Sequence, residues 1–312
     1  MQERLFSYPE IEDLFFVVRA AGERTEAACI EMFRSQLQDP AQLKVLHETP
    51  FSTAVIRTFE AGVASGRPWL IAVDADILPL PDAVDRVREI CGKMADQAFC
   101  ATPLFLCKTV GGFAMRGLHC YRASLLSEAL GLTSKLPEDL RPESRFHDAM
   151  SQRGYSREVY SKVLGLHEYE QSYRHIYVKS KLRARKDPYA RLIAERLAER
   201  ADSDVDARVA RWAFEDVLRD DLHPTEYDWS DALPELETRL NAAGIQEKRA
   251  LDVEAVRSMV KPEILGHPFA SDTVTELWIR EMLGFAEGAP QVVDSLSRPP
   301  LFTCSASAAR ID

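Results

Sequence analysis

The sequence predicts an α/β fold: a mostly parallel sheet with helices on both faces, followed by a mainly helical C-terminal region. Over the N-terminal half, apolar runs typical of buried strands alternate with segments of helical periodicity. After about Pro188 the composition changes to helix formers, with apolar residues at steps of three and four. The chain has 312 residues, of which 46% are hydrophobic, enough for a sizeable core. We expect an α/β domain over 1–187 and a helical region over 188–312.

Three strand and helix pairs are predicted in the first part of the chain. The expected strands are Leu14–Val18, Leu43–Leu46 and Trp69–Val73, which are short and rich in branched and aromatic residues. A helix is expected after each strand: the first is capped by Thr25, the second runs from Ser52 to Gly66, and the third follows Pro81. This alternation favours parallel strands joined by helical crossovers.

The order is less regular further along the chain. Phe99–Leu106 and Gly112–Tyr121 are predicted to be extended, Leu125–Leu130 to be helical, and Val159–Leu164 to form another strand. These segments would enlarge the sheet beyond its first three strands.

Charge and cysteine content limit the functional classes. The formal net charge of -10 argues against nucleic-acid or anionic-membrane binding by bulk attraction. The six cysteines form no CxxC pair or short zinc spacing, and the N-terminus lacks the features of a secretory signal. No stretch reaches the roughly 18 apolar residues of a transmembrane helix. We therefore expect a cytoplasmic protein with reduced thiols and no transmembrane segment.

Two carboxylates end the third predicted strand, in the stretch LIAVDADILPLP. Asp74 and Asp76 are two residues apart, so on an extended chain both project to the same side, at the sheet edge where ligands collect in open parallel sheets. Two hard oxygen donors suit Mg²⁺ or Mn²⁺, which often completes its coordination shell with ligand phosphates. Alternatively, one aspartate caps the following helix and the other is solvated; the spacing alone does not separate these readings.

A DxD pair also begins the phosphatases of the haloacid dehalogenase type. Those enzymes place the pair after the first strand and normally continue as DxDGT, whereas this chain continues with Ile77, Leu78 and Pro79 after a third strand. The phosphatase interpretation is therefore weakened.

The region around the acid pair resembles nucleotide-sugar glycosyltransferases of the GT-A fold, in particular a large bacterial inverting family. That family has the pattern R-N-x-G-x-x-x-A-x-G, an apolar strand and then D-A-D. Arg57, Ala64 and Gly66 precede WLIAVDAD in the same register, while Thr58 and Glu60 depart from the pattern. The family also holds the base or ribose with acids after its second strand. Glu48 is the corresponding candidate here, and its isolation leaves the nucleotide open.

Two further motifs follow in the order of that family. FHDAMSQRGY resembles the acidic segment whose aspartate takes the acceptor proton, which makes Asp148 the candidate general base, with His147 standing where the family has Glu. The strand EVYSKVLGLH then leads to His167, where many such enzymes supply a third metal ligand. On this resemblance Asp74, Asp76 and His167 hold the metal, and Asp76 binds it most directly.

The resemblance also implies the partners. They are a nucleotide-sugar donor, a UDP- or GDP-sugar by preference, and a glycan or lipid-linked acceptor, with Mn²⁺ or Mg²⁺ as cofactor. Arg57 and the basic run of Lys179, Lys181, Arg183 and Arg185 are candidates to neutralise donor phosphates, although such a run is also typical of a solvated helix face. Arg116, His119 and Tyr121 are candidate acceptor contacts, and core packing is the alternative for Tyr121.

The function predicted is metal-dependent glycosyl transfer, with inversion because a carboxylate base is available. One alternative is a noncatalytic binding or scaffold protein of the same fold, suggested by the departures at Thr58, Glu60 and His147. Another is a phosphatase or nucleotidyl transferase that uses the same acid pair. The helical region could support a homo-oligomer, and a lipid-linked acceptor would place the protein at the membrane face.

Overall fold

A computed structural model describes residues 9–133, 142–186, 190–217, 233–267 and 296–297. Its strands are β1 (Leu14–Arg19), β2 (Leu43–Leu46), β3 (Trp69–Asp74), β4 (Ile77–Pro79), β5 (Ala98–Cys107), β6 (Gly112–Ala114), β7 (Leu118–Arg122), β8 (Ser156–His167) and β9 (Leu296–Ser297). Its helices are α1 (Glu26–Arg34), α2 (Phe51–Ser65), α3 (Ala83–Lys93), α4 (Leu126–Leu130), α5 (Pro142–Ser151), α6 (Tyr173–Lys186), α7 (Ala190–Arg200), α8 (Val205–Val217), α9 (Leu233–Ala242) and α10 (Val253–Gly266).

The strands form one mixed sheet in the order β2-β1-β3-β7-β5-β8-β4, with β6 added to β5 and β9 to β8. The strands β1, β2, β3, β5 and β8 run in one direction, because β1 is parallel to β2 and β3, and β7 reverses direction between β3 and β5. The majority of the described strands are thus parallel, which confirms the predicted α/β class.

Helices cover both faces of this sheet. Along β1, Phe16 and Val18 pack on the face covered by α1 and α3, whereas Phe15 and Val17 pack on the face covered by α2, α4 and α5. A strand buried on both faces reads as a continuous apolar run, which is why its pattern does not alternate.

The first three strand and helix pairs agree with the sequence prediction, with differences at their ends. Gly66 ends α2 in the left-handed region at φ +65°, which glycine adopts without steric penalty. The segment Gly112–Tyr121, predicted as one extended stretch, is divided into β6 and β7 by residues 115–117, which belong to neither strand. The short strand β4 was not predicted; it pairs with β8.

The helical C-terminal region has its own core and also returns to the sheet. Helices α6 to α9 pack around apolar side chains that include Tyr177, Val209 and Phe214. Helix α10 packs back on β4 and β8 through Val256, Val260 and Ile264. Helix α6, which precedes the predicted boundary at 187/188, packs against α8, and the boundary itself stays a prediction.

Two general expectations can be compared with the described part of the chain. There, no helix is both long and apolar enough to cross a membrane. The five cysteines it contains are all buried, and none forms a disulfide; Cys304 lies outside the described residues.

Candidate functional site

The acid pair lies on a tight turn between β3 and β4, and neighbouring segments hold its backbone. The amide of Asp74 donates to the carbonyl of Gly117 at 2.7 Å, and the amide of Ala75 donates to the carbonyl of Arg19 at 3.0 Å. The hydroxyl of Thr25, expected to cap α1, instead donates to the carbonyl of Ala75 at 2.8 Å. These hydrogen bonds hold the backbone of the turn without involving either carboxylate.

Asp74 faces a buried arginine that joins two carboxylates. Arg19, at the end of β1, lies 2.7 Å from Asp74 through Nη2 and 2.7 Å from Glu143 through Nη1. Burial raises the pKa of Asp74, Arg19 opposes this, and nearby Asp76 adds to it; the result is a pKa of about 6. Burial also disfavours the charged form of Glu143, but Arg19 and then His119 outweigh it and hold its pKa well below the usual range.

Asp76 faces the other way, toward β8 and α6. One of its carboxylate oxygens, Oδ2, accepts a hydrogen bond from Lys179 Nζ at 2.6 Å and lies 3.5 Å from Nε2 of His167. The pairing of β4 with β8 places Ile77 opposite His167. It therefore brings Asp76 and His167 together from distant parts of the chain. Burial opposes ionisation of Asp76, but Lys179 and His167 outweigh it and lower its pKa.

A buried ion pair supports His167. Nδ1 of His167 lies 3.2 Å from Sγ of Cys107, whose thiol donates to Oε2 of Glu168 at 3.4 Å. Arg183 on α6 makes a bidentate contact with Glu168: it donates one hydrogen bond to Oε2 at 2.9 Å and one to Oε1 at 2.7 Å. Such a bidentate pair fixes geometry as well as charge, so α6 is held next to the histidine.

The donor atoms at Asp76 fit a divalent cation. Asp76 Oδ1 is buried and has no hydrogen-bond partner among the described residues, so this oxygen can accept a ligand. Burial is the main cause that lowers the pKa of His167, so the imidazole is neutral, the form that binds metal. Because Nδ1 faces Cys107, Nε2 is left on the side of Asp76. A carboxylate suits Mg²⁺ or Mn²⁺, and a neutral imidazole adds a nitrogen donor for a first-row divalent ion.

Helix α5 supplies Glu143 to the site and not the predicted Asp148. Glu143 lies on the inward face of α5, one helical turn before the buried His147. Asp148 is five residues after Glu143, which turns it away from that face, and it is exposed. Glu143 is therefore the carboxylate of α5 that meets Arg19 and Asp74.

A buried polar network lies beneath Glu143. His119 contacts Glu143 through Nε2 at 3.4 Å and the Thr102 hydroxyl through Nδ1 at 3.0 Å. The hydroxyl of Tyr121 donates to Oε1 of Glu143 at 3.2 Å and lies 3.1 Å from His147 Nε2. His119 and Tyr121 are thus buried behind the carboxylate and are not an exposed acceptor floor.

The same network brings Cys100, His119 and His147 within 4.8 Å of one another through their donor atoms, a set that could hold a soft metal ion. Burial is the first cause that lowers the pKa of both histidines, and the charge of Arg157 lowers both further. Because that arginine opposes a cation and hydroxyl groups already occupy ring nitrogens, we interpret this set as support for Glu143.

The remaining predicted residues lie outside this cluster. Arg57 is exposed on α2 and pairs with Glu60 at 2.7 Å. Glu48 is half-buried in the loop between β2 and α2, and Arg116 is half-buried before β7. Lys181 faces Glu235, 3.7 Å away. From the basic run, Lys179 and Arg183 contact acids of the site.

Three residues of the site were not singled out from the sequence: Arg19, Glu143 and Glu168. A polar residue ending a buried strand is a recognisable signal for Arg19. For Glu143 the signal is its spacing of four from His147 on one helix face. Glu168 directly follows His167 in a left-handed conformation, φ +61°, which sequence does not reveal.

The comparisons with known proteins are sparse. No protein-family model matches the sequence. No curated protein matches it either. Among solved structures, it is similar to a glycosyltransferase involved in the glycosylation of the major capsid of PBCV-1, with a TM-score of 0.36 and 9% identity over 47% of this chain and 82% of that one.

A second solved structure is the mannosyltransferase PcManGT from Pyrobaculum calidifontis in complex with GDP-Man and Mn²⁺. Its TM-score is 0.38 and its identity 10%, over 88% of each chain. Because both TM-scores are low, the functional proposal rests on the residues of this chain.

Proposed function

We propose that this chain is a nucleotide-sugar glycosyltransferase of the GT-A type that transfers a sugar to an acceptor hydroxyl with inversion. The observation that carries the proposal is the meeting of Asp76 with His167 at a buried, incompletely satisfied carboxylate. Asp76 is at the strand end where open α/β sheets bind ligands, and the DxD and downstream motifs resemble the same class of enzyme.

Asp76 and His167 would hold Mn²⁺ or Mg²⁺, with Asp74 contributing through water or toward the ribose. When bound there, the cation supplies Lewis-acid stabilisation of the leaving diphosphate. Lys179, whose ammonium group is already 2.6 Å from Asp76, adds a positive charge beside the diphosphate oxygens.

The nucleoside would lie on the other side of Asp74. Phe51 starts α2 with 41% of its surface exposed, and its ring centroid lies 5.0 Å from the guanidinium of Arg19. An exposed ring at this edge can stack on a base, and Glu48, three residues earlier, offers a carboxylate for the base or ribose. Arg57 points away from this region toward Glu60, so we leave it out of the donor site.

Glu143 replaces Asp148 as the proposed general base. Its side chain is 14% exposed and ionised, held by Arg19 and His119. In the reaction the acceptor oxygen forms a bond to the anomeric carbon while the bond from that carbon to the diphosphate oxygen breaks. Glu143 takes the acceptor proton, and the nucleoside diphosphate leaves with the electron pair of the broken bond. A base on the face opposite the leaving group gives inversion.

The first experiment is a thermal-shift panel of UDP-, GDP-, CMP- and dTDP-sugars, each with and without Mn²⁺. A ligand that binds only the folded chain raises the melting temperature by mass action. We expect one nucleotide to give a shift that depends on Mn²⁺ and is lost in Asp76→Asn. If no sugar nucleotide changes the melting temperature, the noncatalytic scaffold becomes the better interpretation.

The second experiment separates catalysis from binding. Glu143→Gln removes the base while keeping the size of the side chain, so release of nucleoside diphosphate should fall about 100-fold or more, with donor affinity largely kept. Asp148→Asn on the same helix is the matched control, and its rate should equal that of the wild type. Equal rates for Glu143→Gln and wild type would exclude Glu143 as the base.

A phosphatase or nucleotidyl transferase remains the alternative enzyme class, because the same acid pair can serve it. Release of free phosphate from simple phosphate esters, or of pyrophosphate from nucleoside triphosphates, by the wild type but not by Asp76→Asn would favour that alternative.

A further inference from the structure

A lysine ammonium group and a neutral imidazole converge on one oxygen of Asp76. Lys179 Nζ is 2.6 Å from Oδ2, and Nε2 of His167 is 3.5 Å from the same atom. Lys179 also lies 3.8 Å from Oε1 of Glu23, whose side chain is 8% exposed. The ammonium group therefore occupies the charge position that a metal at Asp76 and His167 would take.

We propose that Lys179 makes cation binding at Asp76 depend on the diphosphate of the donor, an inference that rests on the proposed function. Without a ligand, Lys179 neutralises Asp76. When a diphosphate and a divalent cation arrive together, the ammonium group moves from the carboxylate to phosphate oxygens and leaves Asp76 to the metal.

Electrostatic repulsion favours this exchange. A cation bound to Asp76 lies about 2.0–2.6 Å from a carboxylate oxygen, so it would stand close to an ammonium group that is 2.6 Å from Oδ2. Asp76 is almost fully buried, and charges there are weakly screened by water and salt. The repulsion between the ammonium group and the metal weakens binding of the bare cation. A diphosphate brings negative charge that attracts both the ammonium group and the metal.

The structure also allows the movement without displacing the helix. Arg183, one turn after Lys179, anchors α6 through its bidentate pair with Glu168. The Lys179 side chain is 20% exposed, so it is not enclosed on all sides. A lysine has a flexible stem and three donors that can exchange a carboxylate for a phosphate.

A neighbouring lysine supplies the matched control. Lys181 is on the same helix, but its ammonium lies 3.7 Å from Glu235 and 5.1 Å from the centroid of the Tyr177 ring. Its contacts are within the helical region, so its removal changes the net charge equally and leaves Asp76 unaffected.

The test measures Mn²⁺ affinity by the electron paramagnetic resonance signal of free Mn²⁺, with no nucleotide present. We expect Lys179→Met to bind Mn²⁺ at least tenfold more tightly than the wild type, Lys181→Met to match the wild type, and Asp76→Asn to abolish the gain in the Lys179→Met background. Lys179→Gln, which keeps a hydrogen-bond donor without the charge, should change affinity in the same direction and serves if the methionine variant folds poorly.

The second measurement is the coupling between Mn²⁺ and UDP or GDP, corrected for their complex in solution. Coupling is reciprocal, so either ligand can be titrated against the other. The factor by which the nucleotide raises Mn²⁺ affinity should be at least tenfold smaller in Lys179→Met than in the wild type. Unchanged Mn²⁺ affinity in Lys179→Met, with Asp76-dependent binding of Mn²⁺ and nucleotide together intact, overturns this inference alone. No Asp76-dependent binding in any variant, with or without nucleotide, overturns the proposed function as well.

Discussion

The pairing of β4 with β8 sets the distance between Asp76 and His167, and Gly165→Ala tests it directly. Gly165 lies opposite Pro79 in this pair. A Cβ at Gly165 would come within 2.2 Å of the Leu78 carbonyl oxygen and 2.9 Å of the Pro79 Cα. Both are backbone atoms, so no flexible side chain can move aside.

The cost follows from these distances. Carbon atoms pack best at about 3.5–4.0 Å, so β4 must retreat from β8 by about 1 Å. Overpacking of this kind costs about 1–3 kcal/mol, and a ladder hydrogen bond such as that from the Leu80 amide to the Leu164 carbonyl, 2.8 Å long, contributes about 1 kcal/mol when it is lost. At about 2–4 °C per kcal/mol, the melting temperature should fall by several degrees.

The assay is thermal unfolding, followed by Mn²⁺ titration of the folded variant. Gly266→Ala, at the end of α10, is the control, since its Cβ would meet no heavy atom within 4 Å. Its melting temperature should not fall. We expect Gly165→Ala to lose Mn²⁺ affinity as well, because the shift separates Asp76 from His167. A Gly165→Ala protein as stable as Gly266→Ala would refute the close approach of the two strands.

Three further predictions follow from other parts of the structure. Asp74 has a pKa of about 6 in the folded chain and about 3.9 when unfolded. Between these two pH values the folded state binds more protons than the unfolded state. The contribution of Asp74 to the free energy of unfolding is therefore full below about pH 4 and is lost as the pH rises through 6. Urea unfolding should show that the free energy of unfolding falls less between pH 4.5 and pH 7 in Asp74→Asn than in the wild type. An equal fall in both proteins would contradict the raised pKa of Asp74. Arg183→Lys keeps the charge but not the two-pronged contact with Glu168, so the melting temperature should fall, and an unchanged value would show that the second hydrogen bond adds no stability. Phe59→Ala removes a fully buried ring that packs against three other aromatic rings; urea unfolding should show a loss of about 3–5 kcal/mol, and a loss below about 1 kcal/mol would contradict the packing.

The local sequence pattern is sufficient to predict elements whose residues are all buried or follow one regular spacing. The apolar runs of β1 and β3 are buried on both faces, and α2 ends at the glycine that the sequence indicates. Strand β4 could not be found this way. It has three residues, and only its pairing with β8 makes it a strand.

The site shows the same division. The acid pair and His167 could be identified from spacing and resemblance, and the structure brings Asp76 and His167 together. The motif indicates Asp148 as the general base, but motif position does not state which face of α5 is inward. That face is decided by the packing of Phe146 and Met150 on the sheet.

The sequence by itself determined the α/β class, the order of the first strands and helices, and the acids at the end of β3, because these depend on short-range periodicity and on residue chemistry. The tertiary structure decided which charges meet: Arg19 with Asp74 and Glu143, and Lys179 with Asp76. Such pairs join residues far apart in the chain, and their energies depend on burial and on distances of a few ångströms. Burial and these distances exist only once the sheet has formed, so the sequence pattern does not contain them.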